Sequence, residues 1–217
     1  MKIPLDMKAG TKHKTTSHGE LIILNYINAL EVVVVFTGTG YARKTRASCI
    51  REGKVKDRML PVIWGVGFIG EGDHKASLMG VHTKEYSLWR GMLGRCYDQN
   101  HIKAFPSYKG CSVCEEWHNF QNFADWVGAN YIDGHQLDKD IKVNGNKIYS
   151  PETCLFVSAT ENTEKAIAKS YAFINPNGVE VQLFNLNAFC KKNELNPSTM
   201  SAVHSEKRKQ HKGWVKA

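Results

Sequence analysis

The chain has 217 residues, 42% of them hydrophobic, with 29 Lys and Arg against 21 Asp and Glu, for a net charge of +8 and a pI near 9.1. That much apolar material supports packed cores and excludes a disordered tail protein. No run reaches the ~20 apolar residues of a membrane span, and Met1-Lys2-Ile3-Pro4 lacks a signal core, so no membrane partner and a cytoplasmic location are expected. The positive surplus favours a polyanion partner, with a merely basic soluble protein as the plain alternative.

Residues 1–80 read as a strand-rich domain. Strands are expected at Glu20–Tyr26, Glu31–Phe36 and Tyr41–Ile50, separated by turns at Asn28-Ala29-Leu30 and Gly38-Thr39-Gly40. Alternation along the third puts Arg43, Thr45, Ala47 and Cys49 on one face and Lys44, Arg46 and Ser48 on the other. Arg43, Lys44 and Arg46 are therefore candidate phosphate contacts, unless they form an ordinary solvated face. The glycine-dense Trp64–Gly72 stretch lacks the Lys-Ser/Thr of a P-loop and reads as strand and turn.

Residues 81–170 read as a central domain. Thr83 can cap a helix that buries Tyr86, Trp89, Met92, Leu93 and Cys96, with Arg90 and Arg95 off the stripe. Trp117, Phe120, Phe123 and Trp126 recur at three-residue steps, which favours core packing over a base-stacking platform. A carboxylate-bearing strand, Leu137-Asp138-Lys139-Asp140-Ile141, then leads through a Gly145-Asn146 turn to Tyr149–Asn162 and a helix from about Ser158 to Ser170. The order strand, turn, strand, helix is how a small ββα metal site for phosphodiester chemistry is built. The six cysteines follow no disulfide framework and read most simply as thiols. Cys111 and Cys114 could form half of a zinc site with His118, Cys96 or His101, but no second Cys-x-x-Cys pair exists, so zinc is disfavoured.

Residues 171–217 read as a third, small domain. Asn175-Pro176-Asn177-Gly178 is a turn; Asn185 opens a helix interrupted at Asn193–Asn196, and Pro197 opens a second. Helix, short turn and helix form a helix-turn-helix pattern. Seven Lys and Arg against two Glu from Lys191 to Ala217 (7 − 2 = +5) hold most of the net charge. Contacts to duplex DNA are expected from the Ser198–Val203 helix, including Ser198, Thr199 and Ser201, and from Lys207, Arg208, Lys209, His211 and Lys212.

A family resemblance rests on Trp89…Met92…Arg95-Cys96-Tyr97, Tyr108-Lys109-Gly110, Val113-Cys114-Glu115-Glu116-Trp117, Leu137–Asp140 and Tyr149–Cys154. Over about a third of its length, Tyr86 to Asn162, the chain resembles a phage-encoded family loosely related to HNH homing endonucleases. The last unit is similar to helix-turn-helix modules appended to phage and intron-encoded nucleases, which close on a Gly-Trp, here Gly213-Trp214. The first sheet faintly resembles the three-stranded DNA-binding domain of plant ethylene-response factors. The likeness departs at the family's paired histidines, replaced around Asp138-Lys139-Asp140, and at its central Asn, replaced near Thr153.

The expectation is an α+β protein: a small N-terminal β-sheet unit, a central ββα unit with flanking helices, and a C-terminal helix-turn-helix. The resemblance implies a phage protein acting on double-stranded DNA in a bacterial host cell. Cleavage would require Mg²⁺ on Asp138, Asp140 and Asn162, with His135 or a metal-bound hydroxide as base. The alternative is a non-catalytic DNA-binding regulator or host-takeover factor that keeps the scaffold. In that case Asp138, Lys139 and Asp140 are a surface ion-pair turn, and a protein partner of unspecified identity is conceivable.

Overall fold

The computed structural model describes residues 2–143, 145–161, 171–183 and 185–217. The fold is mixed α+β and divides into two compact units, Met1–Tyr131 with Lys142–Cys154, and Ile132–Ile141 with Leu155–Ala217. No helix among the described residues is long and apolar enough to cross a membrane.

In the first unit β1 (Lys12–Lys14), β2 (Glu20–Asn28), β3 (Glu31–Phe36) and β4 (Ala42–Thr45) form an antiparallel sheet in that order. The β-branched run of β3 suits a pleated surface, and its alternation buries Val32, Val34 and Phe36 beside Leu21 and Ile23 of β2. Each such side chain contributes roughly 1.5–3 kcal/mol of burial. The expected third strand stops early. After Thr45 the chain leaves the sheet, Arg46 becomes an N-cap, and Ala47–Arg51 coil into α1. The physical reason is coverage: at helical spacing Ala47 and Ile50 both face the sheet and close its core with Met7 and Val55. Continued as a strand, the segment would expose one of the two.

The same unit holds β5 (Ser77–Leu78), β6 (Val81–His82), α2 (Lys84–Tyr97), α3 (Gln99–Ala104), β7 (Ser112–Val113) and α4 (Phe120–Asn130). Thr83 caps α2 as expected, its hydroxyl accepting from the Tyr86 N–H at 3.3 Å. The aromatic stripe is core: Trp117, Phe120 and Phe123 are fully buried, and Trp89 Nε1 donates to the Trp117 carbonyl at 2.7 Å. Gly67 permits the close approach; a Cβ there would stand 2.5 Å from Leu93 Cδ1.

In the second unit β8 (Gln136–Asp138) pairs antiparallel with β10 (Leu155–Val157), and Leu137 and Phe156 are cross-strand neighbours. Ile148–Tyr149 (β9), which follows the Gly145-Asn146 turn, belongs to the first unit and pairs parallel with β7. A helix (α5) opens at Ala159 and is described as far as Glu161. Beyond it lie β11 (Tyr171–Ile174), β12 (Glu180–Leu183), α6 (Leu186–Lys192), α7 (Pro197–His204) and β13 (Val215–Lys216), with sheet order β12-β11-β13. Phe173, Cys190, Met200 and Val203 form the centre of this core, between the sheet and both helices.

Candidate nucleic-acid interface

The C-terminal helix pair is built from local signals. Asn185 caps α6 by accepting from the Ala188 N–H at 3.0 Å, and Asn196 caps α7 by accepting from the Thr199 N–H at 3.0 Å, with Pro197 in the first turn. Between them Glu194 adopts φ 53, the left-handed conformation that reverses the chain, and the Leu195 N–H returns to the Cys190 carbonyl at 2.8 Å. Burial of Met200 and Val203 orients α7 so that Ser198, Ser201 and Ser205 face solvent. Ser205 is the C-cap of α7, and its hydroxyl donates to the Ser201 carbonyl at 3.0 Å. Thr199 is half-buried, and its hydroxyl bonds the Asn196 side chain at 3.2 Å, which makes it part of the cap.

After Ser205 and the acidic Glu206, three cations follow α7. Lys207 and Lys209 are exposed and have no ion-pair partner among the described residues. Arg208 uses Nε on the Gln210 carbonyl at 3.0 Å, which holds its guanidinium along the loop. Lys212 Nζ donates to the Glu194 carbonyl at 2.8 Å. The His211 ring Nε2 accepts from the Asn196 N–H at 3.3 Å, so His211 braces the start of α7. Trp214 packs edge-on against Phe189 at 5.2 Å. The Glu206 carboxyl is held below its usual range by its bond to the Lys216 ammonium and that ammonium's charge.

The carboxylate strand has a different geometry from that expected. Its last strand residue is Asp138, and Asp140 lies in the bend that follows, so the two do not share one strand face. Asp138 Oδ1 accepts from the Asp140 N–H at 2.9 Å and from the Ile141 N–H at 2.7 Å, an Asx turn that ends the strand. Lys139 is buried and its ammonium lies 3.1 Å from the Asp140 carboxylate. His135 Nδ1 is 3.0 Å from the Asp133 carbonyl in the preceding turn. Asn162 lies outside the described residues. Among those described, no three His, Cys, Asp or Glu side chains converge as metal ligands. An ammonium beside Asp140 and backbone donors on Asp138 both oppose the approach of a second cation.

The following helix is firmly started. Glu161 Oε2 accepts from the Ser158 N–H at 2.9 Å and its hydroxyl at 2.8 Å, and Ser158 Oγ accepts from the Glu161 N–H at 3.2 Å. This reciprocal capping box makes Ser158 the cap and Ala159 the first helical residue. Bonds from the Ser158 N–H and hydroxyl hold the Glu161 carboxyl below its usual range.

On the N-terminal sheet, Arg43 Nη1 donates to the Lys56 carbonyl at 3.1 Å and Lys44 pairs with Glu31. Arg46 is exposed but stands off the sheet, at the start of α1. Lys207, Arg208 and Lys209 thus lie consecutively in the segment after α7, whereas Arg43, Lys44 and Arg46 do not form a continuous strand face. All six cysteines are thiols, and burial pushes that of Cys114 up.

No family model matches the chain, and no curated protein is significantly similar to it. A solved structure described as "DNA binding and cleavage by the HNH homing endonuclease I-HmuI" is similar over 40% of this chain and 59% of its own length, at 18% identity and a TM-score of 0.23. At that score it is a distant likeness, and no residue role is carried over from it.

Proposed function

We propose that this chain binds double-stranded DNA through its C-terminal unit. In this reading α7 enters the major groove with Ser198 and Ser201 towards the bases, while Lys207, Arg208 and Lys209 contact phosphates. The observation that supports it is an outward, small-polar helix face followed, after the acidic Glu206 that pairs with Lys216, by three exposed cations. A core helix would carry apolar residues there. The test is binding of a labelled duplex across a salt series. Each phosphate contact contributes a slope of about 0.9 in log affinity against log salt. Lys207→Ala with Lys209→Ala should lower that slope by about 2. A chain with no salt-dependent affinity for duplex DNA is not a DNA-binding protein of this kind.

A second reading adds metal-dependent cleavage of that DNA, with Mg²⁺ taken up near Asp138 and Asp140. The strand–strand–helix order of β8, β10 and α5 favours it. The non-catalytic regulator is favoured by the backbone N–H donors on Asp138 and by the Lys139–Asp140 pair. Nicking of plasmid DNA with Mg²⁺ or Mn²⁺ separates the two.

A further inference from the structure

The helix α2 has a second face that neither reading uses. Opposite its buried stripe, Ser87, Arg90, Gly91, Gly94, Arg95 and the C-cap Asp98 share one helical face and line a pocket of about 720 Å³. That volume lies in the range of small-molecule sites and is far larger than a lone anion needs. The remaining walls are aromatic: Trp64, Phe105 and Tyr108, with His82 and His101. The His101 ring lies 4.8 Å from that of Phe105 and 5.3 Å from that of Tyr108.

Three observations point to a ligand. First, no ion pair among the described residues uses Arg90 or Arg95; Arg95 hydrogen-bonds the Tyr149 side chain and sits 5.5 Å from its ring, and its Nε is buried without a partner. The single acid in the lining, Asp98, caps α3 through the Asn100 N–H at 2.9 Å. With neutral histidines the lining carries 2 − 1 = +1.

Second, two glycines in a helix interior destabilise it relative to alanine, and packing within the protein does not require the first. A Cβ on Gly91 would meet nothing within 4 Å, so its absence leaves the helix backbone open to the pocket. At Gly94 a Cβ would stand 3.3 Å from Trp64 Nε1, so this glycine admits the indole.

Third, Trp64 is held at φ 52 in the tight turn between Ile63 and Gly67, and the residue is 40% exposed. A non-glycine residue in the left-handed region is a strained placement of the kind that clusters at binding sites.

We propose that this pocket binds a nucleotide: the phosphate against the Arg90 and Arg95 guanidiniums, the base stacked on Trp64 or Phe105, and the sugar over Gly91. Guanidinium forks match phosphate oxygens, and aromatic faces accept any base. The chemistry is shared by a free mononucleotide and by a nucleotide within a single strand. The inference stands on the first unit alone and does not depend on duplex binding by the C-terminal unit.

The test is titration of the full chain with deoxynucleoside monophosphates, the parent deoxynucleosides, inorganic phosphate and a short single-stranded oligonucleotide. A monophosphate or the oligonucleotide should bind at least about tenfold more tightly than nucleoside or phosphate alone. Gly91→Leu fills open space with a strong helix former, so the melting temperature should hold or rise while affinity falls about tenfold or more. Arg90→Gln should weaken the phosphorylated ligands and leave the nucleosides unchanged. Saturable binding of the monophosphate identifies a free nucleotide as sufficient; Gly91-dependent binding of the oligonucleotide alone identifies the strand as the source. The Lys207→Ala, Lys209→Ala chain should keep this binding, which separates it from the duplex site. Inorganic phosphate binding as tightly as nucleotide, affinity untouched by Gly91→Leu, or no saturable binding of either nucleotide form would overturn the proposal.

Discussion

Lys212 Nζ donates to the carbonyl oxygen of Glu194 at 2.8 Å, which ties the basic loop to the turn that joins α6 and α7. Lys212 and Glu194 both lie in the left-handed region, at φ 49 and φ 53, so two strained residues meet where the chain reverses. A proposed reading helix can hold its direction only if that turn is rigid, and this bond joins residues 18 apart in sequence.

Glu194→Asn should stabilise the C-terminal unit by roughly 0.5–1 kcal/mol, because Asn tolerates the left-handed conformation better than Glu. It also removes a negative charge beside the proposed DNA surface, so duplex affinity at low salt should rise. Thermal unfolding and a binding isotherm measure the two effects separately.

Ser201→Ala removes a hydroxyl from the exposed face of α7 without disturbing its buried side. If that face reads bases, affinity for the preferred duplex should drop by about 1–3 kcal/mol while the salt slope stays constant. Equal loss on every sequence would assign Ser201 to the backbone instead.

Asp138→Ala and Asp140→Ala should behave differently. The first removes the acceptor of two backbone N–H groups, which costs about 1–3 kcal/mol. The second takes the carboxylate from beside the Lys139 ammonium, and the partial exposure of Asp140 limits the cost to about 1–2 kcal/mol. If the chain nicks DNA, Asp140→Ala should abolish nicking and keep binding. Unfolding curves beside a plasmid assay distinguish a catalytic from a structural carboxylate.

The start of α5 should be sensitive to acid. The Glu161 carboxyl lies lower in the folded chain than in the unfolded one, chiefly because of bonds from the Ser158 N–H and hydroxyl. Its contribution is therefore present above the unfolded carboxylate value of about 4.3 and disappears as pH falls through the lower folded value. Glu161→Gln should flatten that part of the stability curve, measured by helical circular dichroism across the acid range.

Phe173 is fully buried between the C-terminal sheet and its helices. Phe173→Ala should cost about 3–5 kcal/mol. Duplex binding should vanish with it, whereas the nucleotide pocket, built wholly from the first unit, should keep its ligand.

Much of the local structure was legible. The cap at Thr83, the helix starts at Asn185 and Pro197, the buried stripe of α2 and the turn at Asn175–Gly178 all depend on residues within one or two turns of each other. The Ser158-Ala159-Thr160-Glu161 capping box is legible in the same way and puts the first helical residue at Ala159. Where the expectation failed, a distant contact decided one case and a local turn the other. Alternation argued for a strand through Ile50, and only the sheet's need for a cover over Val32 and Val34 turns Ala47–Arg51 into a helix. Spacing by two suggested a shared face for Asp138 and Asp140, but an Asx turn after the last paired residue separates them.

By itself the sequence determined the mixed fold, the charge concentrated after Lys191 and the helix pair that precedes the basic tail. Those follow from periodicity, capping and composition, which act over short spans of chain. Only the tertiary structure decided which face of α7 is open, that His211 and Lys212 brace the turn, and that Arg90, Arg95 and Trp64 surround one pocket. These depend on which side chains the cores consume, and packing between segments far apart in sequence sets that.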